Sequence, residues 1–369
     1  MSDVYSPVAG PHTHATAGVG GIMLQVMLAL VPATLFGIWL YGWPALNLFV
    51  VTLSTCAIAE ALSVRIGGRS AAAALGDGSA LLTGWLLAMT LPPWAPWWIG
   101  VVGGLFAVMV GKQVFGGIGQ NLFNPAMLAR VVLLIAFPLE LTTWIAPQPL
   151  TQTGSPGFVE GLAITFTGVT PERLDAVSSA TLLGHLKTEI GRGTQLTAAL
   201  DGWYEPSQAW FGHMAGSFAE TSALLILLGG LYLMVRRIID WQIPAAMLGT
   251  LALLASLMHM IAPERYADAG VHLLSGGAML GAFFIATDPV TSPSTLRGRL
   301  LFGAGCGLLV YVIRSFGGYP EGVAFAVLLM NAVTPLIDHY VRPRIYGRDI
   351  HGRPRTIASK PKPDAEKPS

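Results

Sequence analysis

Charged residues and cysteines are both scarce in this chain. Asp, Glu, Lys and Arg make up only 11% of its 369 residues, whereas a soluble domain carries about 25%, so a string of soluble modules is excluded. The two cysteines, Cys56 and Cys306, are too few for a disulfide framework or for an iron–sulfur cluster, which needs about four ligands. The net charge of +1 gives no indication of nucleic-acid binding. Any redox centre must therefore be organic or shared with another chain.

Apolar sequence is abundant instead. Hydrophobic residues make up 53% of the chain and the mean hydropathy is +0.60, so we predict an all-α polytopic membrane protein. A helix needs about 20 apolar residues to cross a bilayer. Ten windows come close to this length, with those at 73–92 and 124–140 the weakest: 21–41, 45–64, 73–92, 96–112, 124–140, 219–236, 243–262, 271–288, 299–314 and 321–340.

The basic residues orient these spans, because the cytoplasmic connections of membrane proteins carry an excess of Lys and Arg. If both chain ends are cytoplasmic, basic residues concentrate in the inner connections and the C-terminal tail: Arg65, Arg69, Lys112, Arg236, Arg237, Arg297, Arg299, Arg342, Arg344, Arg348, Arg353 and Arg355. Five spans precede the long polar stretch at roughly 138–215. This stretch is therefore predicted to form one long periplasmic loop.

An internal similarity favours two five-helix halves. Residues 79–88 resemble residues 277–286, and each stretch leads into a proline, Pro92 or Pro289. An odd number of spans separates them, so such a repeat would be inverted in the membrane, although apolar helices also resemble one another by chance. The predicted organisation is a cytoplasmic N-terminal segment, a first repeat, a periplasmic loop, a second repeat and a basic, disordered cytoplasmic tail, at 1–20, 21–140, 141–218, 219–340 and 341–369.

A stretch rich in glycine and asparagine, residues 116–127, precedes the fifth span. Asn124 followed by Pro125 is typical of a helix N-cap with proline in the first helical position. One interpretation is a cytoplasmic turn that starts a helix. The other is a ligand cradle, in which Asn121 and Asn124 offer amide hydrogen bonds and the helix N-terminus faces a polar ligand.

Acidic residues also fall within or beside the predicted spans. Asp288 brings a carboxylate to the edge of the hydrocarbon, where an ionisable residue indicates a functional site by default. A cation, a ribityl hydroxyl chain or a helix cap could each satisfy Asp288, and Asp77 in the weak third span raises the same alternatives. Glu60 is expected either to reach the membrane interface or to pair with Arg65.

The most informative motif lies in the predicted periplasmic loop. Residues 175–181 have the pattern D-x-x-S-x-A-T and resemble the acceptor site for covalently attached FMN, although a bare S-x-A-T match is mostly chance. Attachment through a phosphoester needs an accessible hydroxyl, which Thr181 provides. Ser178 belongs to the same motif, the small Ser179 lets a modifying enzyme reach the threonine, and Asp175 can help to bind that enzyme or its metal.

Several further motifs extend the resemblance to nearly the whole chain. They begin at residues 6–7, continue in the same order to the tenth span, and include residues 47–62, 77–84, 91–98, 116–127, 178–181 and 286–291. On these motifs the chain resembles the D subunits of the Rnf/Rsx ion-translocating oxidoreductase complexes. Those subunits are related to the B subunits of the sodium-pumping NADH:quinone reductase, and the short N-terminus favours the Rnf type.

The resemblance implies two flavins. Thr181 would carry FMN through a phosphoester added by a dedicated flavin transferase, although Ser179 stands where many such motifs have glycine. A second, noncovalent flavin, which is riboflavin in the quinone-reductase relatives, would lie near the inner face. Asn121 and Asn124, with Asp288 opposite, are its predicted site.

The resemblance also implies a cellular setting. The chain would be a multi-pass protein of the bacterial inner membrane that works with A, B, C, E and G type subunits in a six-subunit complex. It would couple electron transfer to the translocation of Na⁺ or H⁺, as a translocase-type oxidoreductase subunit without NADH activity of its own. No residue is predicted to be catalytic in its own right or to bind a metal.

Two hypotheses of other classes stay open. The first is an inverted-repeat solute channel or transporter without a redox cofactor, which would explain the repeat, the glycines and the buried acids. The second is an assembly scaffold that holds the cofactors of its partners. Neither needs the Thr181 motif, so a covalent flavin separates the electron-transfer hypothesis from both.

Overall fold

The computed structural model describes residues 18–168, 178–179, 181–218 and 222–343. Most of the predicted terminal segments 1–20 and 341–369 lies outside these described residues, as does Asp175 of the flavin-attachment motif. The division of the chain into five segments therefore stays a prediction. The described residues are mostly helical, with one very short pair of strands among them.

The first part of the chain is a run of apolar helices. They are α1 (Val19–Ile66), α2 (Ala71–Gly76), α3 (Ser79–Thr90), α4 (Trp97–Leu105, continuing as a π-helix over Phe106–Gln113), α5 (Pro125–Ala136) and α6 (Pro138–Thr142). Helix α5 begins as the sequence predicts, because the Asn124 side chain accepts hydrogen bonds from the backbone N–H groups of Ala126 and Met127. Pro125 fills the first helical position, where an N–H would have no partner within the helix.

Helix α1 is two helical segments joined at Gly42, which has a φ of 75°. Only glycine adopts such a backbone conformation readily. Gly20 lies against the backbone of Gly76 in α2, and Ile66 is separated from α2 only by a short turn. Because both ends of α1 meet α2, the helix folds back on itself at Gly42, in agreement with the two spans predicted at 21–41 and 45–64.

The long connection contains short elements. They are β1 (Trp144–Ile145), α7 (Phe158–Thr167), β2 (Ser178–Ser179), α8 (Leu182–Gly191), α9 (Leu196–Leu200) and α10 (Pro206–Phe211), and β1 pairs with β2 in antiparallel fashion. The connection covers the fold in α1, since Gln148 N–H donates to Leu40 O at 2.9 Å. We call this end of the helical bundle the loop end and the opposite end the far end.

The second part of the chain is a further run of mostly apolar helices. It contains α11 (Ala223–Val235), α12 (Gln242–Ile261), α13 (Ala269–Leu274), α14 (Ala278–Leu280, continuing as a π-helix over Gly281–Ile285), α15 (Leu296–Phe316) and α16 (Val323–Tyr340). Close packing of α12 on α15 depends on small residues, as is common between membrane helices. A Cβ atom at Gly303 would lie 2.7 Å from Ile243 O.

Two of the predicted spans are broken helices. The span predicted at 73–92 is divided between α2 and α3 beside Gly78, which has a φ of 73°. The span predicted at 271–288 is divided between α13 and α14 beside Gly276, which has a φ of 64°. Each break directly precedes one of the two similar stretches, 79–88 and 277–286.

The chain is a polytopic membrane protein. Among the described residues, four helices are long and apolar enough to span a membrane: α1, α12, α15 and α16. Shorter apolar helices accompany them, including α3, α4 with its π-helical extension, α5 and α11. Their bounds follow the predicted spans closely, as for the span predicted at 243–262, which is helical over Gln242–Ile261.

Candidate functional site

A cavity with about 810 Å³ of space lies at the far end, where both halves of the chain meet. We call it the far-end cavity. Its walls are mostly apolar side chains, including Val26, Leu82, Leu86, Ile239, Phe283 and Phe284, and its polar lining comprises Ser79, Thr83, Lys112, Asn121, Asn124, Thr287 and Asp288. A largely apolar cavity with a few converging polar groups is the usual form of a site for an organic cofactor.

The two predicted asparagines and Asp288 are brought together in this cavity. Asn331 of α16 holds the two turns that carry them, because its Oδ1 accepts from Asn124 N–H at 3.2 Å and its Nδ2 donates to Thr291 O at 3.2 Å. The Asn121 amide donates to Phe123 O at 3.1 Å. Asn124 therefore caps a helix and also lines a cavity.

Asp288 likewise caps its own turn and lines the cavity. Its Oδ1 accepts from Val290 N–H, and its Oδ2 accepts from the Thr291 hydroxyl, both at 3.2 Å. Asp77 makes an analogous local contact, because its Oδ1 accepts from the backbone N–H of Ser79 at 2.7 Å and from the Ser79 hydroxyl. Both acids are thus held within turns at the far end.

Glu60 does not behave as expected. Its carboxylate is only 2% exposed and forms an ion pair with the Lys112 ammonium at 2.8 Å, so the prediction of an interfacial residue or an Arg65 pair is wrong. Residues five apart point to different faces of a helix with 3.6 residues per turn, and Arg65 is exposed. The Lys112 ammonium also donates to the Ser79 hydroxyl at 2.6 Å.

A second cavity, with about 580 Å³ of space, lies at the loop end. We call it the loop-end cavity. It is lined by Arg130, Trp144, Thr181, Leu182, Leu183, Met214, Ala215, Gly216, Leu274, Ser275, Gly276, Pro320 and Glu321. The predicted acceptor Thr181 therefore stands on the wall of a cavity, close to the break between α13 and α14.

Local structure presents Thr181 at a helix start. The Thr181 hydroxyl oxygen accepts from Gly184 N–H at 3.2 Å, so Thr181 is the N-cap of α8. The backbone of the two preceding serines of the motif pairs with β1, Ser178 with Ile145 and Ser179 with Trp144. The half-buried Thr181 side chain is thus held between a strand pair and a helix.

The surroundings of Thr181 favour a negative charge. Free backbone N–H groups at a helix N-terminus carry partial positive charge and bind phosphate, and α8 starts directly after Thr181. Arg130, only 8% exposed, lines the same cavity. A phosphoester on Thr181 would fit this arrangement, because its charge would lie at the N-terminus of α8.

Lys187 anchors α8 to the bundle. Its ammonium donates to Tyr319 O at 2.8 Å, to Arg314 O at 3.3 Å and to Ile313 O at 3.4 Å. Partial burial lowers the pKa of Lys187 below the usual value for lysine. Helix α8, which directly follows the motif, is therefore tied to the C-terminal end of α15.

Comparisons with known proteins show the family of this chain. A family model described as "NQR2, RnfD, RnfE family" matches residues 7–347 of the 369. The chain belongs to this family. A relative from Halorhodospira halophila (strain DSM 244 / SL1), named as the D subunit of an ion-translocating oxidoreductase complex, is 59% identical over 94% of this chain and 97% of its own length.

More distant relatives in the NQR2, RnfD, RnfE family carry the same name. The protein from Rhodobacter capsulatus is 45% identical over 99% of this chain and 100% of its own length. The protein from Escherichia coli (strain SE11) is 45% identical over 93% of this chain and 99% of its own length. The named relatives are thus similar to this chain over nearly its full length.

At the loop end, an ion pair between Arg314 and Glu321 bridges the break between α13 and α14. Arg314 donates to both Glu321 carboxylate oxygens, and also to His272 O at 2.6 Å and Ser275 O at 3.1 Å. Glu321 accepts in addition from the backbone N–H groups of Gly277, Gly322 and Val323, at 3.0, 2.9 and 3.3 Å. Every charged atom of this pair is therefore engaged.

Sequence reasoning missed three charged residues of these sites. Lys112 served only as a marker of topology, and neither Arg130 nor Arg314 was singled out as a site residue. A single charge inside an otherwise apolar span is the signal that could have identified them, because burying a charge without a partner is unfavourable. The partner of Lys112, by contrast, is distant in sequence, because Glu60 lies 52 positions earlier.

Proposed function

We propose that this chain is the membrane electron-transfer subunit of an Rnf-type ion-translocating oxidoreductase complex. The observation that carries the proposal is the position of Thr181, which caps α8 and lines the loop-end cavity beside a buried arginine. The name shared by its relatives supports the same role. Bound flavin would supply the electron chemistry, whereas the protein would supply position and electrostatics.

At the loop end, Thr181 would carry FMN through a phosphoester. The N-terminus of α8 would stabilise the phosphate, and Arg130 would add positive charge to the cavity. Ser178, Ser179 and Asp175 would complete the motif recognised by a flavin transferase. The strand pair between β1 and β2 supports this role, because it holds the backbone of the motif in place next to the acceptor.

At the far end, a second, noncovalent flavin such as riboflavin would occupy the far-end cavity. The apolar side chains of Leu86 and Phe284 would contact a planar ring system, and Asn121, Asn124 and Asp288 would provide hydrogen-bonding groups for a polar edge or hydroxyl chain. The amphipathic lining of this cavity is what supports a flavin rather than a small ion.

The membrane arrangement that we propose has ten spans in two inverted five-helix repeats. The two breaks support it, since one lies at the far end beside Gly78 and the other at the loop end beside Gly276. Each half also has a buried basic side chain near the end of its fourth predicted span, which adds to this support. Lys112 contacts Ser79 after the first break, and Arg314 contacts Ser275 at the second. Inverted repeats with interrupted helices commonly form binding sites at their interface.

In the cell, we propose a bacterial inner-membrane location with both termini cytoplasmic and the loop end periplasmic. The A, B, C, E and G type subunits of the complex would be the partners, with electrons arriving from their ferredoxin or NADH modules. Moving one charge against 100 mV requires about 2.3 kcal/mol. Flavins at opposite ends of the bundle would let redox free energy drive Na⁺ or H⁺ across the membrane.

The deciding experiment expresses the chain with a flavin transferase and records in-gel flavin fluorescence after denaturation. Two variants test the acceptor: Thr181→Val removes both the hydroxyl and the helix cap, whereas Thr181→Asn keeps a capping oxygen but cannot form the ester. Thr188→Val is the matched control, because Thr188 is an exposed threonine on the same helix. We expect fluorescence in the wild type and the control, and none in either Thr181 variant.

The alternative is a solute channel or transporter built on the same helices. A dark wild-type band, with the transferase active on a control protein, would contradict covalent flavin and favour that alternative. Fluorescence that persists in Thr181→Asn would instead move the attachment to another residue. Solute flux through the far-end cavity would then be the next measurement.

A further inference from the structure

A further cavity, with about 780 Å³ of space, lies at the loop end between α8, the turn after α12 and the end of α15. We call it the basic cavity. Its polar lining consists of Lys187, Arg265, Tyr266, His272, Arg314 and Ser315, and no acidic side chain is among the described residues that line it. Because Arg265 and Gly191 are exposed, the cavity opens to the surface of the protein.

The positive charge of this cavity is unusual for the loop end. The connections of a periplasmic side, as we propose this end to be, carry few basic residues. Four basic residues lie in or next to the described loop-end connections: Lys187, Arg192, Arg265 and Arg314. Three of the four line this one cavity. Their concentration in one place indicates a site for an anion.

Lys187 and Arg265 have no counter-ion in the described part of the chain. Lys187 donates to three backbone carbonyl oxygens in and after the last turn of α15, which are neutral. The Arg265 guanidinium lies 5.8 Å from the ring centroid of its neighbour Tyr266. Arg314, in contrast, is paired with Glu321. The charges of Lys187 and Arg265 therefore make the basic cavity attractive to an anion.

His272 adds a buried hydrogen-bonding group to the wall of the cavity. It is only 6% exposed, and its Nδ1 has no hydrogen-bond partner among the described residues. Its backbone carbonyl accepts from Arg314 at 2.6 Å, which holds the residue in place. Leaving a buried polar atom unpaired is unfavourable, and a ring nitrogen that carries a proton can donate to an anionic oxygen. The ring can therefore bind the anion that the cations attract.

The basic cavity lies beside a surface that faces lipid. Helix α12 ends at Ile261 and α15 ends at Phe316, and these apolar side chains are 75% and 59% exposed. In a membrane protein such side chains contact acyl chains. Tyr266, on the cavity wall, contacts the Phe316 ring with 6.1 Å between the centroids, and tyrosine is typical of the membrane–water interface. An anion in the cavity is therefore within reach of a lipid whose acyl chains lie along α12 and α15.

We propose that the basic cavity binds the headgroup of an anionic phospholipid such as phosphatidylglycerol. The chemistry recognised is a phosphate group, and the neighbouring lipid-facing side chains favour a lipid over free phosphate. The phosphodiester accepts from His272 and Arg265 and balances the charge of Lys187. Because Lys187 ties α8 to α15, the bound lipid holds α8 against the membrane helices. The inference goes beyond the proposed function and does not depend on flavin at Thr181.

The test measures lipid binding by native mass spectrometry to the full-length chain, purified from membranes in detergent with its accompanying subunits. The probes are phosphatidylglycerol and phosphatidylcholine with the same acyl chains, with inorganic phosphate as a competitor. We expect phosphatidylglycerol to bind about tenfold more tightly than phosphatidylcholine, because only the former carries net negative charge. Equal affinity for the two lipids, or displacement of phosphatidylglycerol by equimolar inorganic phosphate, overturns the inference.

Variants assign the binding to the cavity. Arg265→Gln and Lys187→Met are each expected to weaken phosphatidylglycerol binding about tenfold, the effect of losing one charged contact. Arg265 is exposed, so Arg265→Gln keeps the test valid if Lys187→Met fails to fold. Arg192→Gln is the matched control, because Arg192 is an exposed loop-end cation that does not line the cavity. An unchanged preference in Arg265→Gln, or an equal loss in Arg192→Gln, contradicts the inference.

Hydrogen exchange over 182–191 checks the effect on α8. We expect slower exchange in nanodiscs of phosphatidylglycerol than in nanodiscs of phosphatidylcholine, and no such difference in Arg265→Gln. Equal exchange of the wild type in the two lipids would show that the lipid does not hold α8. Thr181→Asn, which cannot carry the flavin ester, is expected to keep the lipid preference, so failure of the flavin proposal and failure of this inference are distinguishable.

Discussion

Two ion pairs in the described part of this protein, each with a buried cation, occupy comparable places but are built differently. At the loop end, Arg314 and Glu321 form several hydrogen bonds with each other. Arg314 also bonds backbone carbonyl groups before a helix break, and Glu321 bonds a backbone N–H group after it. At the far end, Lys112 and Glu60 share one short contact, and one carboxylate oxygen has no hydrogen-bond partner in the described part of the chain. Many hydrogen bonds fix the first pair in place, whereas fewer bonds hold the second.

The difference follows from the chemistry of the two cations. Arginine presents up to five donors in a planar fork that matches a carboxylate and nearby carbonyl groups, whereas lysine is a compact charge on a flexible stem. A fully engaged guanidinium is suited to holding α13, α14 and α16 in place beside the loop-end cavity. The Lys112 ammonium, by contrast, contacts Glu60 and the Ser79 hydroxyl, and these fewer bonds hold it less firmly.

Removal of Arg314 should lower the free energy of unfolding more than any other change considered for the two pairs. Arg314→Met leaves Glu321 without its counter-charge and uncaps the carbonyl groups of His272 and Ser275, so we expect a loss of about 3–5 kcal/mol in unfolding free energy. Thermal unfolding of the detergent-solubilised protein measures it. Arg297→Met is the control, because Arg297 is exposed on the same helix and should change stability by less than about 0.5 kcal/mol.

Removal of both members of each pair should give an intermediate effect that differs between the two ends. Glu60→Gln/Lys112→Met removes both charges, and we expect a change within about 1 kcal/mol, because uncharged replacements of a buried pair are often neutral. Arg314→Met/Glu321→Gln should still destabilise by about 2–3 kcal/mol, since backbone donors and acceptors lose their partners. Equal unfolding temperatures for the two double variants would contradict the distinction.

The smallest expected effect lies in the helix that carries the proposed acceptor. Thr181→Val removes the N-cap of α8 and should raise hydrogen exchange over 182–191 by an amount equivalent to about 1 kcal/mol. Thr181→Asn should keep most of the protection, because asparagine is also a good cap. Equal exchange in the two variants would show that Lys187 and the strand pair, rather than the cap, hold this end of the molecule.

Helix positions were largely predictable because they depend on local composition. The span predicted at 243–262 is helical over Gln242–Ile261, and Asn124 caps α5 as its dipeptide with Pro125 indicated. The weakness of the window at 73–92 was also informative, since the chain breaks there beside Gly78. Each of these features arises from residues within one or two helical turns of one another.

The candidate sites were predictable only in part. Asn121, Asn124 and Asp288 were selected individually, and the structure adds that they line one cavity. The pairing of Glu60 with Lys112 was not predicted, because neighbours in sequence such as Arg65 offered a partner and the true partner lies on another helix. The roles of Thr181 and of the second flavin stay proposals, and the fluorescence experiment tests the first of them.

The sequence by itself determined that the chain lies in a membrane, where most of its helices begin and end, and which polar and charged residues fall within them, because apolar length, caps and breaks are local properties. Only the tertiary structure decided which of those residues meet. It did so because a buried charge must find a partner wherever the packing of helices allows one. That requirement joined Lys112 to Glu60 and Arg314 to Glu321. Both carboxylate oxygens of Glu321 accept hydrogen bonds, whereas one oxygen of Glu60 has no partner among the described residues.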